Sequence, residues 1–138
     1  KGQFGYVQSP AGNLVAGLHE GLRLILSEGI GPRVARHERL RAELHAGLGK
    51  LGLEPFVKKE EVRQVTVNTI AVPEGVDFAK VIKHAMDHYA LEIAGGLGPS
   101  AGKVWRVGIM GFNAQPQNIA LVVKAFETGL AEQGWRKK

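Results

Sequence analysis

The stretch that decides the fold is GGLGPSAGKVWRVGIMGFN, residues 95–113, which places six glycines in nineteen positions. Glycine destabilises regular structure and is favoured where the backbone turns sharply or comes close to another group. Residues 95–99 therefore predict a tight loop, and the Val, Ile and Trp content of residues 103–110 predicts a strand. Because side chains alternate along a strand, Arg106 lies on the face opposite Trp105, mid-strand and among apolar, small or flexible neighbours.

Arg106 is the residue of this strand that points to chemistry. An arginine among apolar neighbours needs an anion, and its planar fork suits a carboxylate or a phosphate. The strand alone favours two structural explanations, an edge-strand residue that prevents aggregation or one half of a salt bridge. A nucleotide P-loop is excluded, because Gly98 to Gly102 is one residue shorter than G-x-x-x-x-G-K-[ST] requires and Val104 replaces the Ser/Thr.

Apolar periodicity in the rest of the chain predicts helices and strands in the order ααββαββα. The helical faces are Leu14, Leu18, Leu22, Ile25 and Leu26; Leu40, Leu44 and Leu48; Phe78, Val81, Ile82, Ala85, Met86 and Tyr89; and Ile119, Val122, Val123, Phe126 and Leu130. Strands are predicted at residues 53–57, 65–72, 91–94 and 103–110. Asp77 is predicted to cap the third helix and Asn113 the last. This order predicts an α+β fold, a small, mostly antiparallel sheet covered by helices.

Composition narrows the classes of partner. The chain has 138 residues, 44% of them apolar, which is enough for one domain with a core. No apolar run approaches the roughly 20 residues of a membrane span, so no membrane partner is predicted. The absence of cysteine excludes disulfides and thiolate zinc sites. The net charge of +5 comes partly from arginines that share a helix with Glu38 and Glu43. A solvated mixed face explains them, and no nucleic-acid partner is predicted.

The five histidines predict no metal site. His84 and His88 are four residues apart, which is metal-ligand spacing on a helix, but no H-E-x-x-H pattern or third ligand accompanies them. His37 and His45 are eight residues apart, and a surface or core-edge position is predicted for each.

Several long segments, in the same order, resemble the alanine–glyoxylate aminotransferases, a branch of the class V (fold-type I) pyridoxal-phosphate aminotransferases. The segments are LHEGLRLILSEGI (18–30), LRAELHAGLGKLGLEPFVKK (40–59), QVTVNTIAVPEGVDFAKVI (64–82), HYALEIAGGLG (88–98) and the glycine-rich stretch itself. The resemblance runs from about Tyr6 to the C-terminus. It implies that residues 1–12 lead out of a large domain missing from this sequence and that residues 13–138 form the C-terminal small domain.

The resemblance also implies a function. Such enzymes form homodimers, use pyridoxal 5'-phosphate, and transfer an amino group from alanine or serine to glyoxylate, so the substrates are small amino acids and 2-oxo acids. In this family the arginine of an R-[IV]-G-x-[ML]-G strand binds the substrate's α-carboxylate, and Arg106 occupies that place in RVGIMG. The resemblance therefore favours a ligand role for Arg106 over an ion pair. Gly96, in the loop at the mouth of the site, is expected to border the substrate through close backbone approach.

Two further residues are implied to bind the cofactor. Tyr6 and Ser9 resemble a Tyr-x-x-Thr segment whose hydroxyls reach the cofactor phosphate across the dimer interface. An ordinary turn beside Pro10 is an equally good explanation.

No catalytic residue is expected within this chain. The resemblance places the lysine that carries the cofactor as a Schiff base upstream of residue 1, so the isolated chain is expected to be inactive. Two alternatives stay open, a non-catalytic carboxylate-binding module and a dimer-docking module. Animal relatives are peroxisomal or mitochondrial, and either compartment is expected here, although the final residues Arg136-Lys137-Lys138 differ from a terminal S-K-L.

Overall fold

The structure is a computed structural model, and it describes residues 11–137. Tyr6 and Ser9, the predicted cofactor-binding residues, lie outside the described residues. The chain divides into two compact units, Lys1–Val34 and Ala35–Lys138, so that the division falls within the second helix. None of the helices in the described part is long and apolar enough to cross a membrane.

The first unit contains helix α1, Gly12–Glu28, and the start of helix α2, Ile30–Lys50. Gly29 separates the two helices with a φ of +83°, a left-handed conformation that glycine adopts without strain. The helix predicted from the apolar periodicity is present as α1, yet α1 has no buried residue. Leu14, Leu18 and Leu26 are each more than 60% exposed.

The second unit is an α+β layer, which confirms the predicted fold class. It contains the rest of α2, strand β1 (Val67–Ala71), helix α3 (Phe78–Tyr89), strands β2 (Ala94–Gly95) and β3 (Val104–Gly108), and helix α4 (Pro116–Ala131). The three strands form one antiparallel sheet in the order β1-β3-β2.

The core of this unit lies where α2, α3 and α4 meet the sheet. Trp105 and Phe126 are fully buried and pack edge to face, with ring centroids 5.2 Å apart. The predicted α2 positions Leu40, Leu44 and Leu48 are all buried against them in the same cluster. The Trp105 indole N–H donates to the Phe78 carbonyl at 3.1 Å, which satisfies the polar end of this side chain.

Of the two predicted N-terminal helix caps, one is observed and the other is not. Asp77 caps α3 as predicted, because its carboxylate accepts from the backbone N–H groups of Ala79 and Lys80 at 2.9 and 3.2 Å. The prediction for Asn113 is wrong, since Gln115 occupies the N-cap of α4. The Asn113 carbonyl instead accepts from the Asn118 side chain at 2.9 Å.

The predicted strand at residues 53–57 is also wrong, so the observed order is ααβαββα. This segment makes a single bridge, from Pro55 to Ile70 of β1. The bridge is closed by the Phe56 N–H on the Thr69 carbonyl and by the Ala71 N–H on the Glu54 carbonyl, each at 2.9 Å, and neither neighbouring pair extends it into a ladder. In α3, the predicted core residue Met86 is 46% exposed.

Candidate functional site: an arginine on the central strand

Arg106 lies in the middle of β3, the central strand of the sheet. Its backbone pairs with Thr69 of β1 and Ala94 of β2. Its neighbours Trp105 and Val107 are 0% and 4% exposed and face the core, whereas Arg106 is half-buried on the opposite face. The edge-strand explanation does not apply, because β3 is paired on both sides.

The guanidinium of Arg106 is held at one nitrogen and open at two. Its Nε donates to the Gly95 carbonyl at 2.6 Å. Within residues 11–137, neither Nη1 nor Nη2 has a hydrogen-bond partner, and no carboxylate pairs with this side chain. The described part of the chain therefore offers no structural salt bridge for Arg106. Two parallel N–H donors at the end of the fork match the two oxygens of a carboxylate.

The glycines before this strand are required by close packing. A Cβ on Gly96 would lie 2.1 Å from the backbone oxygen of Ser100, which no real side chain tolerates. A Cβ on Gly95 would lie 2.9 Å from the Phe78 ring. The loop is tied by Ser100, whose hydroxyl accepts from the Leu97 N–H at 3.1 Å and donates to the Leu97 carbonyl at 2.9 Å. The loop thereby carries the Gly95 carbonyl that holds Arg106, and the expected position of Gly96 at the border of the substrate site stays a prediction.

The described residues do not fit covalent attachment of pyridoxal phosphate. A lysine that forms a Schiff base is activated by a desolvated pocket or a neighbouring cation. Every lysine in residues 11–137 is exposed: Lys50, Lys58, Lys59, Lys80, Lys83, Lys103, Lys124 and Lys137. The described residues around Arg106 can bind a carboxylate, but none of them suits covalent attachment of the cofactor.

A second polar site, which the sequence analysis missed, lies beside β1. His45 of α2 is hydrogen-bonded to the Asn68 side-chain oxygen at 2.8 Å, in a cavity of about 330 Å³ that both residues line. Burial lowers the pKa of His45 below its ordinary value, and the hydrogen bond with Asn68 opposes that shift. The pair offers a neutral imidazole and an amide, but no nucleophile. The sequence signal for this site was a polar residue, Asn68, within a predicted strand of mostly apolar residues.

Two basic residues of α2 are more buried than a solvated mixed face, or a surface position for His37, predicts. His37 is only 6% exposed, and therefore buried. Arg36 is half-buried, and its guanidinium donates to the Ala114 carbonyl at 2.5 Å. By contrast, Arg39 forms the expected exposed ion pair with Glu43 at 2.9 Å. Arg39 of α2 is thus exposed to solvent, whereas Arg36 binds the backbone of the segment before α4.

Known proteins resemble this chain in sequence. It matches no protein-family model. Alanine–glyoxylate aminotransferase of Felis catus is 43% identical over 113 residues, which cover 82% of this chain and 27% of that protein. The (S)-ureidoglycine–glyoxylate transaminase of Bacillus subtilis is 34% identical over 120 residues, covering 87% of this chain and 29% of that protein. The matches therefore cover most of this chain and less than a third of each relative.

Solved structures resemble it in fold. The alanine–glyoxylate aminotransferase of a Nostoc species superposes with a TM-score of 0.87 at 37% identity, covering 91% of this chain and 33% of that one. Pyridoxamine–pyruvate aminotransferase from Mesorhizobium loti gives a TM-score of 0.84 at 28% identity, covering 96% and 34%. The matching regions are the C-terminal domains of these enzymes. In sequence and in fold, this chain is a homologue of the C-terminal small domain of the alanine–glyoxylate aminotransferases, within the class V aminotransferases.

Proposed function

We propose that this chain is the substrate-carboxylate-binding part of a transaminase that moves an amino group from alanine or serine to glyoxylate. Arg106 binds the α-carboxylate of the amino donor, and of the 2-oxo acid that replaces it. The observation that carries this role is the guanidinium itself: Nε is fixed on the Gly95 carbonyl at 2.6 Å, and both terminal nitrogens are without a partner in residues 11–137.

The arrangement suits positioning of a small substrate. A half-buried arginine on a central strand is held by the sheet, so its fork is oriented before the ligand arrives. A bidentate contact fixes both the position and the plane of the carboxylate, and hence the direction of the bonds at the adjacent carbon. Such orientation lowers the barrier of the step that follows.

The aminotransferase relatives support pyridoxal 5'-phosphate as the cofactor of the complete protein. When bound, that cofactor supplies the carbonyl group that accepts the amino group. Every lysine in residues 11–137 is exposed, and the resemblance implies that the lysine that holds the cofactor lies upstream of residue 1, so the 138-residue chain by itself would show no turnover. A homodimer of the complete protein is part of the same proposal.

The test is Arg106→Lys in the complete, cofactor-loaded protein. The charge is retained but the planar fork is lost, and one charge-assisted hydrogen bond is worth about 1.5–3 kcal/mol. We expect the KM for alanine to rise roughly 10- to 100-fold, the equivalent of that energy. Steady-state kinetics with varied alanine measures it.

Arg39→Lys is the matched control, since Arg39 is an exposed arginine that, within residues 11–137, pairs only with Glu43. Its KM should stay at the wild-type value, because an exposed pair of this kind contributes little. Wild-type KM in Arg106→Lys, with the protein folded and loaded, would overturn the proposed role. A binding module without catalysis would instead bind small carboxylates while the complete protein showed no turnover.

A further inference from the structure

The structure brings together three side chains that the sequence keeps apart. His84 and His88 lie one turn apart on α3, with their rings stacked at a centroid distance of 4.4 Å. Glu132 lies at the C-terminal end of α4 and reaches His84, with its Oε2 2.9 Å from the His84 Nδ1. One ligand atom from each of the three residues lies within 4.8 Å of the other two.

The ring of His84 is fixed by a hydrogen-bond chain on its far side. His84 is 7% exposed, and its Nε2 lies 2.8 Å from the hydroxyl of Thr128. The same hydroxyl lies 3.0 Å from the Lys124 carbonyl and 3.0 Å from the Tyr89 hydroxyl. A hydroxyl can accept from Nε2 or donate to it, so the ring of His84 is held in place in either tautomer, with Nδ1 directed at Glu132.

The Nδ1 of His84 faces a carboxylate. Without a metal, an Nδ1–H donates to the Glu132 oxygen, which lies 2.9 Å away and only accepts. When the ring proton is instead on Nε2 and is donated to Thr128, the Nδ1 lone pair and the carboxylate oxygen lie side by side, and both are ligands for a metal cation that takes the place of the proton.

His88 is oriented by the helix backbone. Its Nδ1 lies 3.2 Å from the His84 carbonyl, one turn earlier on the helix. A carbonyl only accepts, so the proton is on Nδ1 and the lone pair is on Nε2. Hydrogen bonds to the second ring nitrogen of a ligand histidine are the usual outer partners of zinc sites. The His84 carbonyl is such a partner for His88, and the Thr128 hydroxyl is one for His84.

We propose that His84, His88 and Glu132 form a binding site for a divalent transition metal of the Zn²⁺ class. Two imidazole nitrogens and one carboxylate oxygen are a ligand set that zinc accepts, with a fourth position left for water. Bonds of about 2.0–2.1 Å in a tetrahedron would place the ligand atoms about 3.4 Å apart. The exposed side chains of His88 and Glu132 close that difference, while His84 stays fixed.

The surrounding charge does not oppose a cation. Asp77, Asp87, Lys80 and Lys83 line the same open groove. The ammonium of Lys83 is neutralised by Asp87, to which it is bonded at 2.5 Å. A metal here would tie α3 to the end of α4, so its role is to stabilise the packing of these two helices.

The test is zinc binding by the complete protein after its metal has been removed with a chelator. Equilibrium dialysis against micromolar Zn²⁺ should give about one metal per chain, and added Zn²⁺ should raise the Tm, since a ligand that binds only the folded state stabilises it. The cofactor can be left in place, because neither readout uses activity.

Three variants make the result specific. His88→Ala and Glu132→Gln remove exposed ligands, so the protein should fold, its Zn²⁺ affinity should fall at least tenfold, and the rise in Tm should vanish. His19→Ala is the matched control, an exposed histidine on α1 outside the cluster, and it should bind as wild type does. Wild-type protein without stoichiometric zinc, or unchanged affinity in both ligand variants, would overturn the site.

Discussion

Arg106 is oriented by backbone rather than by other side chains. Its one side-chain hydrogen bond within the described residues goes to the Gly95 carbonyl, and the position of that carbonyl depends on the missing Cβ atoms of Gly95 and Gly96. The close packing that these glycines allow therefore sets the orientation of the arginine. If Arg106 binds the substrate as proposed, a change in the loop would alter substrate binding through the arginine.

This coupling predicts the effect of Gly96→Ala in the complete protein. The new Cβ would lie 2.1 Å from the Ser100 backbone oxygen, so the loop must move. We expect a loss of about 1–3 kcal/mol in the free energy of unfolding, as for other overpacked sites, together with a higher KM for alanine. Urea denaturation and steady-state kinetics measure the two effects.

Gly49→Ala is the control for this variant. A Cβ on Gly49 meets no atom within 4 Å, and alanine favours the helix in which Gly49 lies. Its stability should be equal to wild type or slightly higher. A Gly96→Ala protein as stable as Gly49→Ala, with wild-type KM, would contradict the coupling.

A residue that stands out in its local sequence could be singled out in advance, whereas sites formed by residues far apart in the sequence could not. Arg106 was found because a charge interrupts an apolar strand. The pairing of His45 with Asn68 and of His84 with Glu132 joins separate elements, and no spacing rule connects them. The sequence analysis found no third ligand beside His84 and His88 for that reason, and Glu132, the third residue of the proposed metal site, comes from the end of another helix.

At the scale of elements, the same apolar periodicity leads to two different outcomes. Leu44 of α2 is fully buried in the core, whereas Leu18 of α1 is 64% exposed. Periodicity predicts that a helix has an apolar face, but it does not identify what that face contacts. The strand predicted at residues 53–57 is reduced to one bridge with β1, at Pro55.

This difference predicts unequal costs of two leucine truncations in the 138-residue chain. Leu44→Ala should lower the free energy of unfolding by about 2–5 kcal/mol, since it opens a cavity in a packed core. Leu18→Ala should change it by no more than about 0.5 kcal/mol, because the side chain is already in solvent. Urea unfolding followed by tryptophan fluorescence reports both, and equal losses would show that α1 is buried.

At the scale of the whole molecule, the chain spans 27% and 30% of the length of the alanine–glyoxylate aminotransferases of Felis catus and Drosophila melanogaster. Arg106 lies on the central strand of its sheet, and the lysines of its described part are all exposed. Under the proposed function, substrate binding and cofactor attachment would be contributed by different parts of the complete protein. The α+β class was predictable from element order, while the central position of β3, which removes the edge-strand explanation for Arg106, needed the structure.

The central claim is that Arg106 binds the substrate carboxylate, and a crystal structure of the complete protein with alanine bound tests it most directly. We predict both carboxylate oxygens within about 2.7–2.9 Å of Nη1 and Nη2 of Arg106, with Nε still on the Gly95 carbonyl. A carboxylate bound by another residue, with Arg106 paired to an acidic side chain of the protein, would contradict the account.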